Sequence, residues 1–557
     1  MSFLQKINQN NCIAFCVFWL ILFILYLPAA KAGFVTDVVG WLDQIENHSF
    51  WEYLNRTNFH VKSLYQFTQF TTYIFFKLFG VNKWLWHLLQ ITLHAINGTL
   101  LYIICKKLFN DTNIKNGGII AMGGVLLYCV CPHISEVIVW ESSFHYLQGF
   151  LLILLILLWV QRFQEAQNAK YIWWGGVVFF LSTYSLEVFY LTPWFVLALA
   201  LYYRVALKRD IFVLKKTLLY FFVPELVLFV LHLITYRIVY GDWVAHIGVN
   251  TIHQQANILL SRPPEYLFHI VLFGRFLSND TRQYVYKLCE SWRGIIPFYA
   301  LVVAICLFII TNFKKFGPKA KAAVLLFVFC GMSVSILMPL WFQKQQLLVV
   351  DRYTYMFDAF IYMLITLLLS FISLKIISYT LWAGYAFINI HFTAKLNKYW
   401  KESDHIITSL LNNFPNPSDK VVVLLNNPEN MNGVPMIGSS DPSEFKMMKN
   451  LLSHQKINNI VFDVLSYNML SPNDGAHVTV LNDSSMRVTL NQWGTWWWYN
   501  VIGATSYQNE YYKLNVIDVG HFYDITLKKA PSQYLLLYQV GDQWKIVDWS
   551  KKNVDQY

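Results

Sequence analysis

Apolar residues in this chain are gathered into long runs. The first, CIAFCVFWLILFILYLPAA, covers residues 12–30. Others occupy about 84–104, 118–138, 144–161, 171–186, 189–203, 217–239, 294–311, 322–341, 353–373 and 376–392. Each approaches the roughly 20 residues a helix needs to cross a bilayer core. Together they predict eleven transmembrane helices. Two further stretches do not read as spans. Residues 64–79 (LYQFTQFTTYIFFKLF) are interrupted by Gln and Thr and predict a helix lying in the interface. Residues 266–277 (YLFHIVLFGRFL) are short and contain Gly274 and Arg275, which fits a re-entrant or interfacial helix.

The pattern changes near residue 394. KVVVLLNNP (420–428), NNIVFDVLS (458–466), HVTVLND (477–483) and QYLLLYQV (533–540) are short runs bounded by Asn, Pro, Asp and Gly, and they predict strands. Residues 400–412 and 443–454 predict helices. The expected architecture is an α-helical polytopic membrane domain over 1–393, with an outer first loop at 31–83. A soluble α+β or mostly β domain follows over 394–557.

Composition supports this reading. Of 557 residues, 56% are hydrophobic, 18% aromatic and only 13% charged, against about 25% charged in ordinary soluble domains. Disordered, fibrous and small disulfide-rich classes are excluded. The net charge of +11 does not mark a nucleic-acid binder, because the chain from Lys395 onward has 14 basic and 15 acidic residues. The excess lies in short loops of the membrane part, where it sets orientation. Lys106, Lys107 and Lys115, then Arg204, Lys208, Arg209, Lys215 and Lys216, then Lys314, Lys315, Lys319 and Lys321 all fall on one side of an eleven-span count. That side is expected to be cytoplasmic, with the N-terminus inside and the C-terminal domain outside. None of the eight cysteines lies after residue 390, and no CxxC pair suggests a metal.

Charged groups at membrane depth are costly, so their placement is informative. Four clusters fall on the outer side. Asp37, in GFVTDVVGW (33–41), sits at the membrane surface, where a carboxylate can serve as a general base; the plain reading is a helix cap or a solvated loop acid. His133, Glu136, Glu141 and His145 lie in CPHISEVIVWESSFHY (131–146), behind the helix break marked by Pro132. They could bind a metal or a sugar hydroxyl, or form a short hydrated hairpin. Glu187 stands alone between apolar runs in STYSLEVFYLTP (182–193) and requires a partner or water. Asp351 and Arg352 open a late span in VVDRYTYMFD (350–359). Arg352 suits a phosphate because its guanidinium binds oxygens bidentately; the plain reading is a surface pair with Asp351. A fifth feature, NQWGTWWWYN (491–500), divides between core, membrane interface and glycan contact.

The order of these pieces resembles the polytopic glycosyltransferases of the GT-C class. It looks closest to the transmembrane half of the protein O-mannosyltransferases that carry tetratricopeptide tails. FVTDVVGW is similar to the acidic motif after the first span. FGVNKWLWHLLQITLHAINGTLLYIICKKL (79–108) is similar to a stretch with a His-Asn-His-Asn pattern. PHISEVIVW is similar to a Pro-x-x-x-Glu-x-x-x-aromatic hairpin, SLEVFYLTP to Ser-Lys-Glu followed by Pro, and VDRYTYMF to Glu-Arg-aromatic-x-Tyr. The resemblance covers roughly residues 30–400. There are departures. Thr36, not a second acid, precedes Asp37; Leu186 replaces the Lys of Ser-Lys-Glu; Asp351 replaces the Glu before Arg. The tail is not a tetratricopeptide array. Residues 425–438 are similar to tails of Bacteroidota membrane proteins, which points to a bacterial inner membrane.

The resemblance implies transfer of a sugar from a polyprenyl-phosphate-linked donor to a hydroxyl of a protein or glycan acceptor, on the outer face and with inversion. Asp37 would be the base and Arg352 would hold the donor phosphate. His133, Glu136, Glu141, Glu187 and Asp351 would line the substrate pocket. No cofactor is required with certainty. Some members of the class use a divalent metal, so the resemblance admits one here. Two alternatives from other classes are a flippase for lipid-linked sugars and a membrane-anchored scaffold. One-sided polar motifs without visible internal repeats favour the transferase.

Overall fold

The computed structural model describes residues 10–55, 64–241, 243, 256–338, 351–438, 443–453, 455–491, 495–496, 506–518 and 521–549. Among these, eight helices are long and apolar enough to cross a membrane: Asn11–Ala29, Lys83–Asp111, Glu141–Ala166, Glu187–Ala206, Ile211–Tyr240, Trp292–Lys315, Pro318–Ser335 and Asp351–Leu369. Gly117–Cys129 and Pro132–Val139 form a ninth only if taken as one span bent by 54°. The bend falls where Pro132, lacking an N–H, opens a new turn. The chain is thus an integral membrane protein by the character of its helices.

Two of the eleven expected spans take another form. Residues 171–186 fall largely on a 14-residue helix, Lys170–Thr183. Residues 376–392 belong to a 38-residue helix, Lys375–Asn412, that continues through the expected domain boundary at 393. Its first half turns Ile376, Ile377, Leu381, Phe387 and Ile390 outward, whereas its second half buries Trp400, Ile406, Ile407 and Leu410. One helix of about 57 Å therefore serves both environments. The 64–79 stretch forms a helix, Gln66–Phe79. The 266–277 run breaks after the Ala256–Val271 helix, and neither stretch is among the span-length helices.

Local chemistry sets several boundaries. Asn10 caps the first helix by accepting from the Cys12 N–H at 2.9 Å. Asn82 accepts from Trp84 and Leu85 at the start of the Lys83–Asp111 helix. Close packing uses small residues, as expected between membrane helices. A Cβ on Gly124 would lie 2.3 Å from the Met363 sulfur, and one on Gly149 would lie 1.9 Å from the Phe189 ring. Hydrogen bonds along its length tie the long helix down, three of them near its middle. Asn397 donates to the Leu25 carbonyl at 2.7 Å, Thr393 to the Val130 carbonyl at 2.9 Å, and the Trp400 indole to Ser135 Oγ at 3.0 Å.

The C-terminal domain is α+β. Val421–Leu424 pairs in parallel with Val461–Asp463 and Tyr534–Val540, and Gln543–Ile546 closes that sheet's edge antiparallel. The expected strand at 420–428 is two, split at Leu425 and Asn426, because Asn427–Met431 joins a second sheet beside Ser466–Met469. A third sheet is five-stranded and antiparallel within residues 477–527, with Ser485–Thr489 pairing with both His477–Val480 and the later strand Phe522–Leu527. The expected 443–454 helix is Glu444–Leu452, capped by Ser443. Most of the 491–500 aromatic run, Trp493, Trp497, Trp498 and Tyr499 included, lies outside the described residues.

Candidate active site

Asp37 opens the Asp37–Asn47 helix, where a carboxylate suits the helix N-terminus. The loop before it is unusual. Gly33, Phe34 and Thr36 have φ of 112°, 36° and 50°, a region that costs non-glycine residues energy and persists only when the surroundings hold it. The 131–146 hairpin supplies that hold. Glu141 accepts from the Phe34 N–H at 2.6 Å, and the Trp140 indole donates to the Val35 carbonyl at 2.9 Å. Gly33 is needed as well, since a Cβ there would lie 2.1 Å from a Glu141 oxygen. Asp37 itself remains exposed.

Asp37 lies on a small, partly open cleft whose lining also includes Glu187 and Arg352. Three acidic or basic groups from distant parts of the chain are thereby brought together. Trp41, Tyr65, His145, Tyr146 and Tyr353 supply aromatic walls. Glu187 has the partners its burial requires: Tyr65 and Tyr236 donate their phenol O–H groups to its two oxygens at 2.6 and 3.2 Å.

Arg352 is positioned from several sides. Glu136 Oε2 accepts from its backbone N–H and from Nη1, both at 3.3 Å. The guanidinium also lies over the rings of Trp140 and Tyr353, at 4.7 and 4.9 Å from their centroids. Three residues on, Tyr355 contacts His94 Nδ1 at 2.7 Å and accepts from Asn97 at 3.1 Å. The His-containing stretch of the Lys83–Asp111 helix thus fixes the turn that carries Arg352.

Four residues expected in the substrate pocket do not line the cleft. Glu136 is spent on Arg352 and Glu141 on Phe34. His133 and Asp351 are fully buried behind the cleft, beside His269 and Arg275. Arg275 donates to Asp351 Oδ2, and His269 Nε2 lies 2.5 Å from Oδ1. The plain alternative, a surface pair of Asp351 with Arg352, is not formed: Asp351 is buried against Arg275 and His269, because neighbouring side chains on a 3₁₀ turn diverge. Arg275 and His269 went unassigned in the sequence, where Arg275 marks the 266–277 run only as one that does not span. Tyr65 and Tyr353 carried no signal, since tyrosine is abundant throughout.

The C-terminal domain approaches the same aspartate. Its Glu444–Leu452 helix packs on the Asp37–Asn47 helix. Burial pushes the Glu429 carboxyl up to about 7, and the Asp37 charge adds to the rise. Glu444 is raised well above the ordinary range, chiefly by burial and then by Glu429 and Asp37. Arg275 also donates to the Asn432 carbonyl at 3.3 Å, so the turn after Asn427–Met431 touches the group behind the cleft.

No protein-family profile matches the chain, and no curated protein does either. Among solved structures, it is similar to an oligosaccharyltransferase of Archaeoglobus fulgidus in its apo form. The TM-score is 0.38 at 13% identity, over 76% of this chain and 63% of that one. The zinc and sulfate complex of that enzyme matches with a TM-score of 0.33 at 13% identity, over 79% of this chain and 62% of that one. The chain therefore matches less than two thirds of the archaeal enzyme's length.

Proposed function

We propose that this protein is a glycosyltransferase of the GT-C type that moves a sugar from a polyprenyl-phosphate-linked donor to an acceptor hydroxyl at the outer membrane face. The observation that carries the reading is the meeting of Asp37 and Arg352 on one cleft. An exposed carboxylate and a braced guanidinium are the two groups an inverting transfer from a lipid phosphate needs.

In this reading Asp37 takes the proton of the acceptor O–H. The oxygen forms a bond to the anomeric carbon from the face opposite the phosphate. The bond from that carbon to the phosphate oxygen breaks, and the lipid phosphate leaves with the electron pair. Arg352 offsets the charge gained by the phosphate, as electrostatic stabilisation requires. No general acid is needed, because a phosphate leaves without protonation. Glu136 and Glu141 act one step back, holding Arg352 and the Asp37 loop. The aromatic walls and Glu187 shape the sugar or acceptor pocket. The bacterial inner membrane, the outward C-terminal domain and a protein or glycan acceptor belong to this same proposal.

The test compares envelope glycans and lipid-linked sugars by mass spectrometry in three strains. They carry a deletion, the restored wild type, and Asp37→Asn at equal expression. Loss of one sugar in the deletion and in Asp37→Asn, with unconsumed donor, supports the transferase. Full restoration by Asp37→Asn removes Asp37 as the base. Donor trapped on the inner leaflet in the deletion alone replaces the proposal with a flippase.

A further inference from the structure

We infer that His133, His269 and Asp351 form a binding site for one divalent transition metal, with Zn²⁺ the best match. The inference is independent of the transferase reading. The three side chains come from separate elements: the 3₁₀ turn Pro132–Ile134, the Ala256–Val271 helix and the 3₁₀ turn Asp351–Thr354. One ligand atom from each lies within 4.8 Å of the others. All three residues are essentially removed from solvent, at 0, 1 and 0% exposure.

His133 points to a ligand. Its Nε2 has no hydrogen-bond partner, and its Nδ1 meets Asp351 Oδ1 only at a long 3.5 Å. A polar nitrogen left buried and unpaired costs about 1–3 kcal/mol. A bound metal would remove that cost at the nitrogen that ligates it. With metal–ligand bonds of roughly 2.0–2.2 Å in a tetrahedral site, neighbouring ligand atoms stand about 3.3 Å apart. The His133–Asp351 spacing of 3.5 Å already matches; His269, at 2.5 Å from the same oxygen, would have to open by less than about 1 Å, and the two histidines, within 4.8 Å of each other, would have to settle at about 3.3 Å.

Arg275 takes Oδ2 of Asp351 and leaves Oδ1 facing both imidazoles. A hydrogen-bonded second oxygen is the usual support for a ligating carboxylate. Two histidines and one carboxylate with a further position open is a donor set used by zinc and by other transition metals, whereas calcium and magnesium prefer oxygen ligands. Asp351 and Arg352 share one 3₁₀ turn, so a cation at the site would also add positive potential near the cleft.

The experiment uses the full chain, tag-free, in detergent or nanodiscs. Protein is stripped with chelator, loaded with Zn²⁺, freed of excess and assayed for bound metal. The expected result is one equivalent per chain in wild type and in the exposed control His405→Gln, falling by at least tenfold in His133→Gln and His269→Gln. Co²⁺ loading of the wild type gives a second readout, with intense visible absorption from four-coordinate nitrogen and oxygen ligation. This readout stands even where a variant fails to fold. A folded wild type that retains no stoichiometric Zn²⁺, or folded histidine variants that retain it fully, overturns the site. A Co²⁺ spectrum of a fully hydrated octahedral ion does the same.

Discussion

The Glu141 carboxylate accepts a hydrogen bond from the Phe34 backbone N–H at 2.6 Å, across 107 positions of sequence. This contact, with Gly33 pressed against it, fixes the loop that presents Asp37 to the cleft. Gly33→Ala puts a methyl group into the Glu141 carboxylate and forces a positive φ on alanine. Transfer activity is expected to fall at least tenfold while the helical circular dichroism stays unchanged. Glu141→Gln keeps an acceptor oxygen and is expected to retain most activity, and Glu141→Ala is expected to lose it. Equal activity in all three would show that the loop does not need this support.

Asp37 and Arg352 are expected to fail in different kinetic terms. Asp37→Asn keeps the shape and removes the base, so kcat drops by about 10²–10⁴-fold with the donor KM little changed. Arg352→Lys keeps the charge but loses the planar fork and its stacking on Trp140 and Tyr353. A loss of about 1.5–3 kcal/mol, roughly ten- to a hundred-fold in kcat/KM for the donor, is expected. Steady-state kinetics with a purified lipid-phosphate sugar separates the two; a pure KM effect in Asp37→Asn would count against its role as base.

Glu187 depends on two phenols. Tyr65→Phe removes the shorter of its two hydrogen bonds and leaves that carboxylate oxygen buried. A stability loss of about 1–3 kcal/mol is expected, read as a lower thermal midpoint in detergent. The double variant Tyr65→Phe with Glu187→Gln should lose less than the sum of the two single variants. Strict additivity would show that the pair is not coupled.

The contact between the C-terminal domain and the Asp37 helix should weaken as pH rises. Burial raises the folded-state carboxyls of Glu429 and Glu444, Glu429 to about 7. In the unfolded chain a glutamate titrates near about 4.3. Above that pH the folded state holds more protons than the unfolded state, so stability falls, and for Glu429 the fall continues up to about pH 7. Hydrogen exchange over 37–47 and 444–452, corrected for intrinsic rates, should show less protection at pH 8 than at pH 5.5. In Glu429→Gln with Glu444→Gln the difference should shrink. An unchanged difference would assign it to other groups.

The membrane runs were legible in the sequence because a bilayer demands about 20 apolar residues whatever the fold. Pro132 marked its bend for an equally local reason, the missing N–H. The split of 420–428 into two strands was not legible, since Leu425 and Asn426 change sheets only because two separate partners are present. The boundary near 393 was blurred by a helix that stays helical while its surroundings change. At the site, Asp37, Arg352 and Glu187 were found as isolated charges in apolar context, and the structure brings all three to one cleft. His269 and Arg275 carry no site signal in the sequence, because in the 266–277 run Arg275 explains why the segment does not span and nothing local shows that it faces Asp351.

By itself the sequence determined which segments are apolar enough for a membrane and where charge is too costly to be accidental. Only the tertiary structure decided what each charge faces. Glu136 and Glu141 are five positions apart on one short hairpin, yet one holds the arginine and the other the aspartate's loop. Asp351 and Arg352 are adjacent, yet one is buried with two histidines and the other lines the cleft. Spacing fixes direction only along a regular helix or strand. Where the backbone turns through short 3₁₀ pieces, side-chain direction is set by which distant group can satisfy a buried charge.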